Sequence, residues 1–282
     1  MGAYKFGFQK EWYHFSRTFR FGGVLIALFA VAVVNPLMIK AMVSMLDMVS
    51  ASPSEMMSNT TMPGLGVDEM MLQYTSGLVF GAALSDLCNT ALLVILLLLM
   101  SPFGGEQKKR ATLIPSCSGL DNKFYLVPKF VLYTSIIFVS CFAAGILAGL
   151  ICNSMFVQPV GFGTILLGSL MCAVYLCFVL NIYMSLGLCT SRPGIMTIIV
   201  YFGHSLINAI LMNMELSRFN PFTLYNVFST QMYSADFSLK DEAVSIIVGA
   251  VLAVVISVVM YFLTLAVLRN KRINNQEDKP EF

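Results

Sequence analysis

Six long apolar runs divide this chain: Phe21–Ile39, Gly77–Met100, Phe130–Cys152, Phe162–Cys189, Gly194–Met214 and Ala243–Leu268. At about 1.5 Å of rise per residue, each can cross the ~30 Å hydrocarbon layer of a bilayer as a helix. No water is present there to satisfy an open backbone, so the runs must close their hydrogen bonds internally. The expected fold is an all-α membrane protein with six transmembrane helices over 21–268. Six crossings bring the chain back to the face it left. The segments on that face, 1–20, 101–129, 190–193 and 269–282, hold 14 of the 17 basic residues. Only Lys40, Arg218 and Lys240 lie opposite, with eight acids around them. Cationic segments stay on the cytoplasmic side. This predicts a multi-pass protein of the cell membrane, bacterial in setting, with both termini cytoplasmic.

Charged residues make up 11% of the chain, against about 25% in soluble domains. Spans and short connections use up nearly the whole sequence, which leaves no room for a separate soluble domain. The seven cysteines lie mostly within the runs, and no Cys-x-x-Cys occurs. They read as small buried apolar side chains. His14 and His204 are the only histidines, too few for a zinc centre or a membrane phosphatase, and Ser205 beside His204 lacks the setting of an intramembrane protease. No catalytic residue, resident metal or nucleic-acid partner is expected.

Tyr4, Phe8, Trp12, Phe15 and Phe19 recur at spacings of 4, 4, 3 and 4. Such spacing predicts an amphipathic helix within 1–20, lying in the membrane interface with rings among headgroups and cations on anionic lipid. Insertion is expected to begin with the first span, since no apolar core with a small-residue cleavage site comes before it. Asn35-Pro36 is expected to kink or stop that span. The external stretch 40–76 carries Met42, Met45, Met48, Met56, Met57, Met62, Met70 and Met71. Without His or Cys among them, these read as an adaptable apolar surface or a helix extension rather than a soft-metal site. Segment 215–242 is too polar to cross, yet it holds Phe219, Phe222, Leu224, Tyr225, Val227 and Phe228. A short amphipathic or re-entrant helix packed at the outer surface is predicted before the last span. The tail 269–282 is polar and expected to be poorly ordered.

Asp86 is the only acid deep within a run, and His204 the only histidine there. Ionisable groups in a bilayer are costly and turn towards a partner inside the bundle. Ser85 and Asn89 share a helix face at i, i+4, as do His204 and Asn208. These five residues predict a polar stripe through which the second and fifth spans face each other, along a translocation path or at a seam between two copies. One arrangement is a direct Asp86–His204 contact. The other leaves each group satisfied locally.

The connection 101–129 reads SPFGGEQKKRATLIPSCSGLDNKFYLVPK. Its charges suit either a docking surface or a solvated turn. Glu106, Ala111-Thr112, Ser116-Cys117-Ser118 and Lys129 follow in an order that resembles the cytoplasmic loop of type-2 ATP-binding-cassette (ABC) exporter permeases. In that family the ATPase is a separate chain. The wider layout resembles it too, with Asn220-Pro221 standing in the segment before the last span. The loop departs from the family pattern at Ala111, where Gly is usual, and at Pro115. The resemblance implies a permease subunit coupled to cytoplasmic ABC ATPase subunits through Glu106, Lys108, Lys109, Arg110, Thr112 and Ser118. It implies a second copy or a similar permease as partner, with ATP and Mg on the ATPase and no cofactor on this chain. The sequence contains no Gly-Lys pair, so it lacks the phosphate cradle of a nucleotide-hydrolysing chain. Two alternatives stand beside this one. The first is an ion- or proton-coupled secondary transporter using Asp86 and His204, the second a scaffold whose loop recruits a partner.

Overall fold

The computed structural model describes residues 2–51, 75–105, 122–190, 192–211, 220–234, 237 and 239–277. Every regular element among them is helical. Six stretches are long and apolar enough to cross a membrane: Arg20–Met45, Ser76–Phe103, Leu126–Met155, Phe162–Cys189, Pro193–Leu211 and Glu242–Arg269. The chain is an all-α, multi-pass membrane protein.

Helix α1 (Gly2–Arg17) leads into α2 (Arg20–Ala51), the first span. The second span is α3 (Ser76–Asp86) and α4 (Leu92–Met100), joined by a π-helical turn at Leu87–Ala91. Another π turn, Ser101–Gly105, ends it. Three more spans follow as α5 (Asn122–Met155), α6 (Phe162–Cys189) and α7 (Pro193–Leu211). Short helix α8 (Leu224–Ser229) lies between 3-10 turns at Pro221–Thr223 and Gln231–Tyr233, and α9 (Leu239–Glu277) is the last span.

The centre of the bundle is α6, 67% of whose most apolar window is buried, against 17% for the last span. It is apolar on all sides, and a helix of that kind belongs inside. Against it α5 sets Gly145 and Gly149, where a Cβ would stand 2.7 Å from Ser169 and 2.5 Å from Ile165; Cys141, Ala144, Ala148 and Cys152 of the same helix are fully buried. Small side chains let two membrane helices approach closely, where dispersion replaces the missing hydrophobic drive. The sulfur of Cys172 lies 3.5 Å from that of Cys88 and 3.8 Å from that of Cys141. Cys88, Cys141, Cys152, Cys172 and Cys177 are buried thiols and Cys189 is half-buried; Cys117 lies outside the described residues.

Three boundaries and the burial pattern of α1 differ from those expected. Pro36 does not end the first span, because α2 continues to Ala51. A proline removes one hydrogen bond to the preceding turn, a loss that neighbouring helices absorb inside a membrane bundle. Helix α5 begins at Asn122, within the segment read as loop, and carries Pro128. The polar tail is helical as far as Glu277. It continues a helix already nucleated in the span, so it adds one bond per residue without the cost of starting. Of the external methionines, Met42, Met45 and Met48 extend α2, while Met56, Met57, Met62, Met70 and Met71 lie outside the described residues.

The fourth difference concerns α1. Its aromatic residues are unequally buried: Phe15 is fully buried, Trp12 is 50% exposed, and Phe19 lies past the helix end at 79% exposure. The helix stops where Thr18 turns its hydroxyl back to the His14 carbonyl at 2.7 Å. The stripe that packs inward is Tyr4, Gly7, Glu11 and Phe15, and it lies on the start of α5. Tyr4 meets Phe124 at 4.6 Å between ring centres and Phe15 meets Tyr133 at 4.8 Å. Between them the Glu11 carboxylate lies 3.9 Å from the Lys129 ammonium, with both side chains buried. Pro128 has no N–H for the Phe124 carbonyl four residues back. Gly7 comes so close to that carbonyl that a Cβ would stand 2.8 Å from it. Phe103, just before the undescribed segment 106–121, completes the cluster at 5.0 Å from Tyr133.

Candidate functional site

Four elements assemble a polar wall. Ser85 comes from α3 and Asn89 from the π turn below it. His204, Ser205 and Asn208 come from α7. Helix α8 and the residue after it bring Tyr225, Asn226, Ser229 and Thr230. Together with Leu78, Ala82 and Ala209 they line a cavity of about 540 Å³.

Helix α8 reaches the wall because its start is capped and its flank is aromatic. Asn220 accepts a hydrogen bond from the Phe222 amide at 3.1 Å, and Pro221 takes the first helical position, where no N–H is needed. Phe222 then packs on Phe178, and Phe228 on Tyr175, at ring-centre distances of 5.2 and 5.9 Å. This seats α8 on the central helix α6, as the short helix expected before the last span. Phe219 lies outside the described residues.

On one side of the cavity the polar groups satisfy one another. Asn89 donates through Nδ2 to the Tyr225 hydroxyl at 2.6 Å and to the Ser85 carbonyl at 3.0 Å. Ser85 Oγ and the Tyr225 hydroxyl are also hydrogen-bonded. Burial pushes the Tyr225 phenol above its ordinary pKa, against the opposite pull of its bonds to Ser85 and Asn89. It is therefore a neutral hydroxyl at physiological pH. Tyr225→Phe removes the joint between the second span and α8. The cost is about 1 kcal/mol, modest because Asn89 keeps its bond to the Ser85 carbonyl. Thermal unfolding of the purified variant checks this.

The other side is less complete. His204 Nδ1 lies 3.2 Å from the Val200 carbonyl. A carbonyl only accepts, so Nδ1 carries the proton and Nε2 is left towards Ser205 Oγ, 3.4 Å away. Asn208 reaches Asn226 Oδ1 across a long 3.4 Å, and its own buried Oδ1 has no hydrogen-bond partner. Among the described residues no acid orients the imidazole, and Ser205 is its chain neighbour. The pair has neither the geometry nor the third member of a hydrolytic triad.

Ser85 and Asn89 of the second span and His204 and Asn208 of the fifth line the same cavity, but the hydrogen bonds run from each pair to α8, through Tyr225 and Asn226. Asp86 does not join them. One residue further along a helix turns the side chain by about 100°, and Asp86 faces α2, where its carboxylate accepts a hydrogen bond from Asn35 Nδ2. No hydrogen bond or ion pair links it to His204. Sequence reasoning placed Tyr225 in the external segment as an apolar residue and passed over Asn226, Ser229 and Thr230. Their i, i+3 and i, i+4 spacing, read as a second polar face, could have marked them. Glu106, Lys108, Lys109, Arg110, Thr112 and Ser118 lie outside the described residues. Comparison of the chain with protein-family models, with curated proteins and with solved structures gave no match.

Proposed function

We propose that this chain is the membrane-spanning permease subunit of an ABC exporter of the type-2 class, resident in the cell membrane with both termini cytoplasmic. The observation that carries the reading is the polar wall between α3, α7 and α8. Hydrocarbon cannot cover that many hydrogen-bonding side chains without a large cost. A wall of this kind calls for water, cargo or another protein surface. A second copy of the chain, related by a two-fold axis, would set wall against wall and enclose a path. The energy would come from separate ATPase subunits, holding ATP and Mg, docked at the 101–129 connection.

The packing near that connection supports such coupling. The described residues on either side of 106–121 are tied to α1 through Glu11–Lys129 and through the Phe15–Tyr133–Phe103 stack. A push on the loop would move α1, the second span and α5 together. The bond of Asp86 to Asn35 weighs against the ion-coupled alternative, which needs Asp86 beside His204. His204→Gln is therefore expected to lower transport, while Asp86→Asn leaves it near the parent level. Transport by vesicles carrying each variant reads the difference.

Purification from native membranes in mild detergent should recover an ATPase, and vesicles holding the pair should transport in response to nucleotide. Transport by the chain alone on an ionic gradient would overturn the proposal.

A further inference from the structure

The chemistry of the wall narrows the cargo. Among the described residues, no carboxylate, ammonium or guanidinium lines the cavity. Asp86, the chain neighbour of Ser85, is turned away to Asn35. A charged cargo group entering here would leave water for a poorly polarisable site with no counter-charge, which is costly. A purely apolar cargo would leave the amides and hydroxyls unpaired, at a cost of similar kind. Between these exclusions stands an uncharged group rich in hydrogen-bonding atoms.

The donors and acceptors say more. Three primary amides, Asn89, Asn208 and Asn226, face the cavity beside hydroxyl groups. A primary amide donates and accepts from adjacent atoms. That pattern matches neighbouring hydroxyls on one ring, each of which can do both. The Asn208 side chain is nine-tenths buried, its Oδ1 lacks a partner, and its one bond, to Asn226, is long at 3.4 Å. A hydroxyl group beside these two amides would give Oδ1 the donor it lacks, and its oxygen would accept from an amide N–H in turn. Leu78, Ala82 and Ala209 supply an apolar margin for the C–H face of such a ring.

We propose that the wall binds an uncharged, hydroxyl-rich cargo group with the chemistry of a sugar, carried on a lipid or free. The inference rests on the reading of this wall as the cargo path. Asn208 and Asn226 make the deciding contacts.

The test uses the full chain in lipid nanodiscs of phosphatidylcholine, with three probes. These are a radiolabelled neutral monoglycosyl diacylglycerol, the matching free methyl glycoside, and phosphatidylglycerol as the charged comparison. Saturable binding of a glycoside probe is expected, weakened about tenfold by Asn208→Leu or Asn226→Leu, the equivalent of losing about one hydrogen bond. Thr134→Val, in the separate cavity among α5, α6 and α9, should leave binding unchanged. Asn208→Gln and Asn226→Gln, which keep the amide, should bind better than the Leu variants, and so separate lost contacts from lost folding. Binding of the lipid form alone identifies a glycolipid cargo, and equal binding of the methyl glycoside identifies a free one. Both support the chemistry. Preference for phosphatidylglycerol, or glycoside binding indifferent to Asn208 and Asn226, would overturn it. Nucleotide-driven export of a charged cargo would refute the sugar assignment and leave the permease reading intact. Glycoside binding with transport driven by a gradient alone would do the reverse.

Discussion

Lys129→Met lowers the stability of this chain by about 3–5 kcal/mol, the usual consequence of removing one member of a buried ion pair. The Lys129 side chain is fully buried, and the Glu11 carboxylate 3.9 Å away is nearly so. Removing the ammonium takes a counter-charge away from a carboxylate that is almost wholly buried beneath α1. Glu11→Leu in the same chain should recover most of the loss, because two apolar residues of similar volume need no counter-charge. The expected order of unfolding midpoints in detergent is parent and double variant together, with Lys129→Met well below. A single variant as stable as the double would mean that the pair is not held dry.

The second large effect belongs to Gly81. A Cβ there would collide with the backbone carbonyl of Ser229 and come within 2.8 Å of the Tyr233 ring. The ring could swing aside, but the carbonyl cannot move unless the end of α8 moves with it. Gly81→Ala is therefore expected to cost up to about 3 kcal/mol by overpacking, although alanine favours a helix by about 1 kcal/mol over glycine. Its functional effect should be larger still. Lifting α8 carries the Tyr225 hydroxyl away from Ser85 and Asn89 and opens the wall. Gly203→Ala is the control, since nothing lies within 4 Å of its Cβ position. Transport should fall with the first substitution and hold with the second.

Much of the architecture could be read from residue order, and the failures have physical causes. The run Phe162–Cys189 coincides with α6 because an all-round apolar helix leaves no doubt about its ends. The run ending at Leu268 stopped short of the end of α9, since hydropathy marks where lipid ends and says nothing of where a helix ends. In α1 the aromatic spacing pointed to one face, while the packed stripe runs through Gly7 and Glu11. A glycine and an acid are poor signals of burial. Here the glycine allows a close backbone approach, and the acid meets Lys129, far along the chain.

The site was half legible. Periodicity within a helix correctly paired Ser85 with Asn89 and His204 with Asn208, since i, i+4 neighbours share a face. It could not tell which way Asp86 would turn, because that depends on Asn35 in another span. Nor could it find the third side of the wall. The polar face of α8 exists only because Phe222 and Phe228 anchor that helix on α6.

The last helix has a practical use that follows from its length. Its 39 residues amount to about 58 Å of rod, nearly twice the thickness of the hydrocarbon it crosses. No proline or π turn interrupts it. A small rocking of its membrane portion would be magnified at the projecting tip. A spectroscopic label placed there would act as the needle of a gauge, reporting tilt without touching the wall.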